Sequence, residues 1–157
     1  MSFQDRVNQD VPSGFAGDFA TSNPRIVLGG GNIVFRAGKG GVLASSFVWR
    51  DTNSNFVINQ GTTTPVGFIM RQRTGIMPNY LQENSMIIPE GFEVTVFAKG
   101  DFIVMLPEDM APPASGDIVY ASKTTGQIVP STDANAVATG YHYGLFGENS
   151  FFITGWV

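Results

Sequence analysis

A chain of 157 residues without cysteine and with a formal net charge of −4 reads as one domain, long enough to bury roughly 70% of its unfolded surface. It can hold neither a disulfide nor a thiolate metal site, and its basic residues never cluster beyond Arg71-Gln72-Arg73, so it lacks the cationic stripe with which nucleic-acid binders displace counterions from phosphates. No apolar run approaches the ~20 residues of a membrane span, and the first ten residues, MSFQDRVNQD, carry charges where a signal peptide needs an apolar core.

Residues 1–25 differ from the rest. Pro12, Gly14, Gly17 and Pro24 punctuate a polar stretch that carries Phe3, Phe15 and Phe19, with neither helical nor strand periodicity. Ordering about 25 residues costs on the order of 1–2 kcal/mol each in backbone entropy. Burying three phenylalanines returns only about 1.5–3 kcal/mol each. The aromatics cannot hold the stretch alone, so backbone hydrogen bonds or a broad partner surface must supply the difference. The expectation is an extended N-terminal arm over 1–25, loose in the free protein and fixed in an assembly, followed by a body over 26–157.

From Arg25 onward the pattern is strand and turn. The predicted strands are Arg25–Leu28, Asn32–Arg36, Val42–Arg50, Asn55–Asn59, Val66–Gln72, Ser85–Ile88, Glu93–Ala98, Phe102–Leu106, Asp117–Ala121, Gln127–Val129, Ala136–Tyr143 and Ser150–Trp156. They are short, rich in Val, Ile, Phe and Tyr, and bounded by Gly, Pro, Asn and Asp. The alternation of Glu93-Val94-Thr95-Val96 predicts one buried face, and Val137, Thr139, Tyr141 and Tyr143 share a face with His142 opposite. Pro89-Glu90-Gly91 suits a type I turn with Pro second and Gly fourth. Lys99-Gly100 and Thr125-Gly126 read as hairpin turns, Asp51–Asn55 as a polar hairpin loop, and Met105–Ala114, with its prolines, as a loop. The only helical possibility is a single turn over Asn79–Glu83. Few charges (14%, against about 25% typically) and 19 glycines accompany this pattern. Together they specify an all-β chain, a single β-sandwich or barrel.

The motifs that could carry chemistry fail on spacing. Gly29-Gly30-Gly31 and Gly38-Lys39-Gly40-Gly41 lack the P-loop order, because Ile33 stands at the first glycine position and Gly40 follows the lysine. The dinucleotide fingerprint fails at Val34, and neither stretch opens a helix to cradle phosphate. Asp51–Asn55 lacks the central Gly and terminal Glu of a calcium loop. His142, the sole histidine, has no partner at metal-ligand spacing. A Ser-His-Asp arrangement around it is a spatial question, and no Gly-x-Ser-x-Gly elbow is present. Arg71 and Arg73, at a strand end, offer planar forks suited to a partner's carboxylates and carbonyls; a solvated strand end is an equal reading of them.

In order along the chain stand Ser2–Asn8, Asn23-Pro24-Arg25, Gly41-Val42-Leu43 leading to Phe47-Val48-Trp49, and Gly67-Phe68-Ile69-Met70-Arg71-Gln72. Tyr80–Met86, Pro89-Glu90-Gly91, Gly100-Asp101-Phe102 and Gly116–Ala121 follow. In this order the chain resembles the tailed-phage structural cement, or capsid decoration, proteins over nearly its whole length. It departs at Ser45-Ser46, where that pattern leads one to expect a glycine, and after about Gly144.

The resemblance implies a β-sandwich or jelly-roll-like body on the outer capsid surface of the virion, made in the host cytoplasm. It implies an arm running over the major capsid protein and copies associating around symmetry axes to staple capsomers. A homotrimer at local three-fold sites is expected ahead of a dimer at two-fold sites. Phe3, Gln4, Arg6, Val7, Phe15, Phe19, Arg25, Arg71 and Arg73 are expected to carry the contacts, with no catalytic residue, cofactor, metal, nucleic acid or membrane involved. Two other classes compete. One is a carbohydrate- or receptor-binding β-module of a phage tail using Trp49, Tyr141, Tyr143 and Trp156; the other is a small hydrolase centred on His142.

Overall fold

The computed structural model describes residues 14–52, 54–71, 86–147 and 150–156. Among them are fourteen strands and no helix. The first seven are β1 (Ile26–Leu28), β2 (Phe35–Ala37), β3 (Val42–Leu43), β4 (Ser46–Arg50), β5 (Phe56–Ile58), β6 (Gly67–Ile69) and β7 (Ile87–Ile88). The others are β8 (Glu93–Val94), β9 (Val96–Lys99), β10 (Asp101–Val104), β11 (Ile118–Ser122), β12 (Ile128–Val129), β13 (Ala136–Gly147) and β14 (Ser150–Thr154). A seven-stranded sheet runs β1-β9-β6-β4-β5-β2-β8, a five-stranded sheet runs β10-β14-β13-β11-β12, and β3 and β7 form a two-stranded ribbon. The fold is all-β and sandwich-like, as the turn and strand pattern predicts.

Two cores explain why the central strands do not alternate. The larger lies between the two big sheets. Phe47, Trp49, Phe68 and Phe97 from one meet Phe102, Val104, Val119, Tyr141, Tyr143, Phe151 and Ile153 from the other. The Tyr141 hydroxyl crosses this gap to donate to the Phe97 carbonyl at 3.1 Å. The smaller core gathers Val48, Ile69, Val96, Val57 and Val94 with Val42 and Ile88 of the ribbon. Successive residues of β4, β6 and β9 therefore enter opposite cores, and the run Phe47-Val48-Trp49 is buried on both faces. A continuous apolar run is what such a position requires.

The polar residue in this run is clasped. Ser46 is buried, its hydroxyl donates to the Leu43 carbonyl at 2.5 Å, and it accepts from Asn59 Nδ2 at 2.7 Å. Asn59 also accepts from Leu43 N at 2.7 Å and donates to the Phe47 carbonyl at 3.0 Å. One side chain thus fixes the β3-to-β4 corner.

Most predicted strands are present, shortened at their ends. The single run over Val42–Arg50 is two strands, broken at Ser45, whose φ of +59° lies in the left-handed region that favours glycine. That is the place where the family pattern leads one to expect a glycine. Thr125-Gly126 does close a hairpin, since β11 and β12 pair Tyr120 with Val129 and Ala121 with Ile128. Its tip docks on β4 through Phe47 N to the Gly126 carbonyl at 2.8 Å.

Two turns differ from expectation. Phe92 N donates to the Pro89 carbonyl and Gly91 has φ +82°. The turn therefore starts at Pro89 with glycine third, the type II arrangement that needs a positive φ there. Lys99-Gly100 is no hairpin. β9 pairs with β1 and β6, β10 pairs with β14, and the chain passes there from one sheet to the other. The local apolar–Gly–apolar pattern cannot distinguish a return from a crossing. The helical turn expected over Asn79–Glu83 lies outside the described residues.

Candidate functional site

The crossing at Lys99-Gly100 is matched by a second one. Phe19 bridges Phe102 in antiparallel fashion, and a few residues later Ile26, Val27 and Leu28 pair with Lys99, Phe97 and Val96. Residues 17–28 thus run antiparallel to 96–104 across both sheets and close one side of the sandwich. Gly17 N donates to the Ile103 carbonyl (2.7 Å), Ile103 N to the Asp18 carbonyl (2.8 Å) and Ala20 N to the Asp101 carbonyl (2.9 Å). These are the backbone bonds that the entropy comparison demands. They fix 14–25 on the chain's own body, where the sequence leads one to expect a loose arm.

Asp101 organises the closure. It is only 4% exposed, and its Oδ2 accepts from Thr21 Oγ1 at 2.6 Å and from Asn23 Nδ2 at 2.7 Å. Burial pushes its pKa up, but hydrogen bonding by Thr21, the nearby Thr154 hydroxyl, hydrogen bonding by Asn23 and the charge of Arg25 together outweigh that, and the carboxyl sits below its ordinary 3.8. The Arg25 guanidinium lies 3.5 Å above the Phe19 ring and donates to the Thr21 carbonyl at 3.2 Å. Trp156 Nε1 donates to the Pro24 carbonyl at 3.0 Å. Phe19 is half-buried and packs edge-on to Phe97 with centroids 5.5 Å apart.

At the other end of this stretch several chain segments meet. Ser45 N donates to the Ile69 carbonyl, Ala44 N to the Met86 carbonyl and Arg71 N to the Gly17 carbonyl. The Ser45 hydroxyl donates to the Ala16 carbonyl at 3.0 Å. The Arg71 guanidinium lies 4.3 Å from the Phe15 ring centre and 3.7 Å from Asp18 Oδ2. Phe15 is 65% exposed and Met105, just past β10, 79%. Residues 15–17, 71 and 86 therefore meet at one corner around Ser45.

Of the expected contact residues, Phe15 and Arg71 come together at this corner, while Phe19 and Arg25 pack against each other along the closure. Phe3, Gln4, Arg6, Val7 and Arg73 lie outside the described residues. Sequence reasoning missed Asp101 and Ser45. Asp101 stands in a Lys-Gly-Asp turn, and nothing local links it to donors some 80 residues earlier. The Ser45 departure was visible, but not that its hydroxyl would hold Ala16.

The residues of the competing classes are placed differently. Trp49, Tyr141 and Tyr143 are buried in the main core, which leaves no ring face for a sugar; Trp156 alone of the four is exposed. His142 lies on the outer side of β13, opposite Thr154 and Ile118. It makes no hydrogen bond to a serine or a carboxylate among the described residues, and its Nδ1 is buried without a partner there.

Comparison with known proteins adds two findings. A chain of the solved structure "The capsid of Myoviridae Phage XM1" superposes with a TM-score of 0.65 at 20% identity, covering 99% of this chain and 98% of that one, which establishes a shared fold. No curated protein matches. A family model for the XM1 gp53 minor capsid protein matches residues 3–147, which include residues 17–28, the whole seven-stranded sheet and all of the five-stranded sheet except β14. The chain belongs to the XM1 gp53 minor capsid protein family, a family of phage capsid-associated structural proteins.

Proposed function

We propose that this chain is a non-enzymatic cement protein of a phage head. It binds the outer surface of the major capsid protein shell and staples neighbouring capsomers after the head expands. The arm over 1–25 has two parts in this reading. Residues 14–25 are its root, held by Phe19, Arg25 and Arg71 on the chain's own body. Phe3, Gln4, Arg6, Val7, Phe15 and Arg73 reach the shell. Copies associate as homotrimers at local three-fold sites, with dimers at two-fold sites as the competing arrangement. Each copy adds modest contacts, and multivalency converts them into mechanical stability of the shell.

The observation that carries this reading is the corner around Ser45. Hydrogen bonds at Ala16, Gly17, Arg71 and Met86 bring the root of the arm, Arg71 and Met86 to one place, where the exposed Phe15 lies against the Arg71 guanidinium. A single corner can then present Phe15 and Arg71 together to one partner surface.

The test removes residues 1–13 and leaves the root in place. The truncated protein should keep the wild-type unfolding transition and lose co-sedimentation with expanded shells of the major capsid protein. Undiminished co-sedimentation would sink the arm reading. Copy number in purified virions separates the broader alternatives. A ratio near one to one with the major capsid protein supports cement, whereas a handful of copies indicates a vertex or tail component.

A further inference from the structure

We infer a second binding site, for an arginine-bearing extended peptide segment of another protein in the shell, in the cleft between the loop after β10 and the strands β11 to β13. The cleft has a volume of about 710 Å³. Its lining mixes apolar faces, among them Pro112, Pro130 and Tyr120, with the carboxylates of Asp109 and Asp117; Asp117 Oδ2 already accepts from Ala114 N at 2.8 Å. No lysine or arginine lines it. Tyr143 also lines it; this residue is only 2% exposed, and its hydroxyl has no hydrogen-bond partner among the described residues.

Each feature selects part of the ligand. A buried hydroxyl without a partner is costly, and in a native structure such a group calls for a specific cause, a functional role or a bound species among them. Burial and the negative charge of Asp117 push the Tyr143 pKa up to about 12, so the phenol stays protonated and is available as a donor to an acceptor such as a peptide carbonyl. The two carboxylates, in a chain of net charge −4, repel anions and favour a cation. Proline and tyrosine faces take the methylene stem and planar guanidinium of arginine, which stacks on aromatic surface while forking to a carboxylate. A peptide offers the carbonyl and the cation together. A neutral sugar offers acceptors and leaves the Asp109 carboxylate without a cation.

Only the partner's identity as a shell protein rests on the proposed capsid role. The binding chemistry stands without it, and the test needs no capsid.

The experiment titrates the full-length, isotopically labelled protein with an acetylated and amidated Gly-Pro-Arg-Pro-Gly peptide at up to about 1 mM, read by backbone amide NMR shifts. The same peptide with glutamine for arginine, and maltotriose, serve as comparison probes. Shifts at Gly116, Asp117 and Ser131 with the arginine peptide, at least about tenfold weaker with the glutamine peptide, are the expected result. Asp109→Asn, whose carboxylate carries no hydrogen bond among the described residues, should weaken binding several-fold with the unfolding transition unchanged. Tyr143→Phe should weaken binding without lowering that transition. Equal shifts with both peptides, a preference for maltotriose, or full affinity in the Asp109→Asn protein each overturn the inference. So does the absence of any shift at the cleft.

Discussion

Replacing Asp101 by alanine probes the closure that joins the two sheets to the arm root. The carboxylate accepts two short hydrogen bonds, from Thr21 and Asn23. Each bond to an ionised acceptor contributes about 1.5–3 kcal/mol. Part of this is recovered on truncation, because Asn23 is exposed and Thr21 half-buried, so both regain water. The Oδ1 atom, which has no partner among the described residues, also ceases to be a burden. The expected loss is about 2–4 kcal/mol, and for a chain of this size each kcal/mol lowers Tm by about 2–4 °C. The effect also has a pH signature. The folded carboxyl lies below its ordinary 3.8, so its stabilisation is fully present above that value and lost as pH falls through the lower folded-state value. Urea unfolding of wild type and Asp101→Ala, near pH 7 and then in steps from about pH 5 to about pH 2, reads both effects. The gap should be wide near neutrality and close in acid. Trypsin cleavage after Arg25 should also be faster in the variant near neutrality. A gap below about 0.5 kcal/mol near neutrality would show that Asp101 does not hold the root, and one that stays open in acid would show that its ionised form is not what holds it.

Further outcomes follow from single residues. Asn59→Ala strips Leu43 N, the Ser46 hydroxyl and the Phe47 carbonyl of a shared partner; at about 1–3 kcal/mol for each buried group left unpaired, a total near 3 kcal/mol is expected in urea unfolding. Gly126→Ala puts a Cβ against the Phe47 carbonyl at a residue with φ +69°, so the hairpin tip must lift off β4. A loss of about 2 kcal/mol or more is expected, with faster hydrogen exchange at the Phe47 amide. Ser45→Gly relieves a left-handed serine and surrenders the bond to Ala16. The two terms, each about 1 kcal/mol, should nearly cancel in Tm, while protease sensitivity near Ala16 rises.

What the amino-acid order determined by itself is what short-range physics controls. Strand and turn positions follow from apolar runs interrupted by Gly, Pro, Asn and Asp. The face of Val137, Thr139, Tyr141 and Tyr143 follows from the two-residue period. The run Phe47-Val48-Trp49 carries in its lack of alternation the fact that β4 is covered on both sides. The ordered motifs from Ser2 to Ala121 identify the kind of family, and no geometry was needed for that. Tertiary structure alone decided where the chain turns back and where it crosses. Lys99-Gly100 has the local form of a hairpin, yet β9 and β10 enter different sheets, because β9 finds its partners in β1 and β6 and β10 finds its partner in β14. It also decided that Asp101, one acid in a turn, collects Thr21 and Asn23 from some 80 positions earlier, and that Tyr143 lies buried with its hydroxyl unpaired. Hydrogen bonds between residues distant in sequence leave no local periodicity, and burial of a tyrosine hydroxyl depends on which surfaces close over it. Those features emerge only when the sheets are assembled.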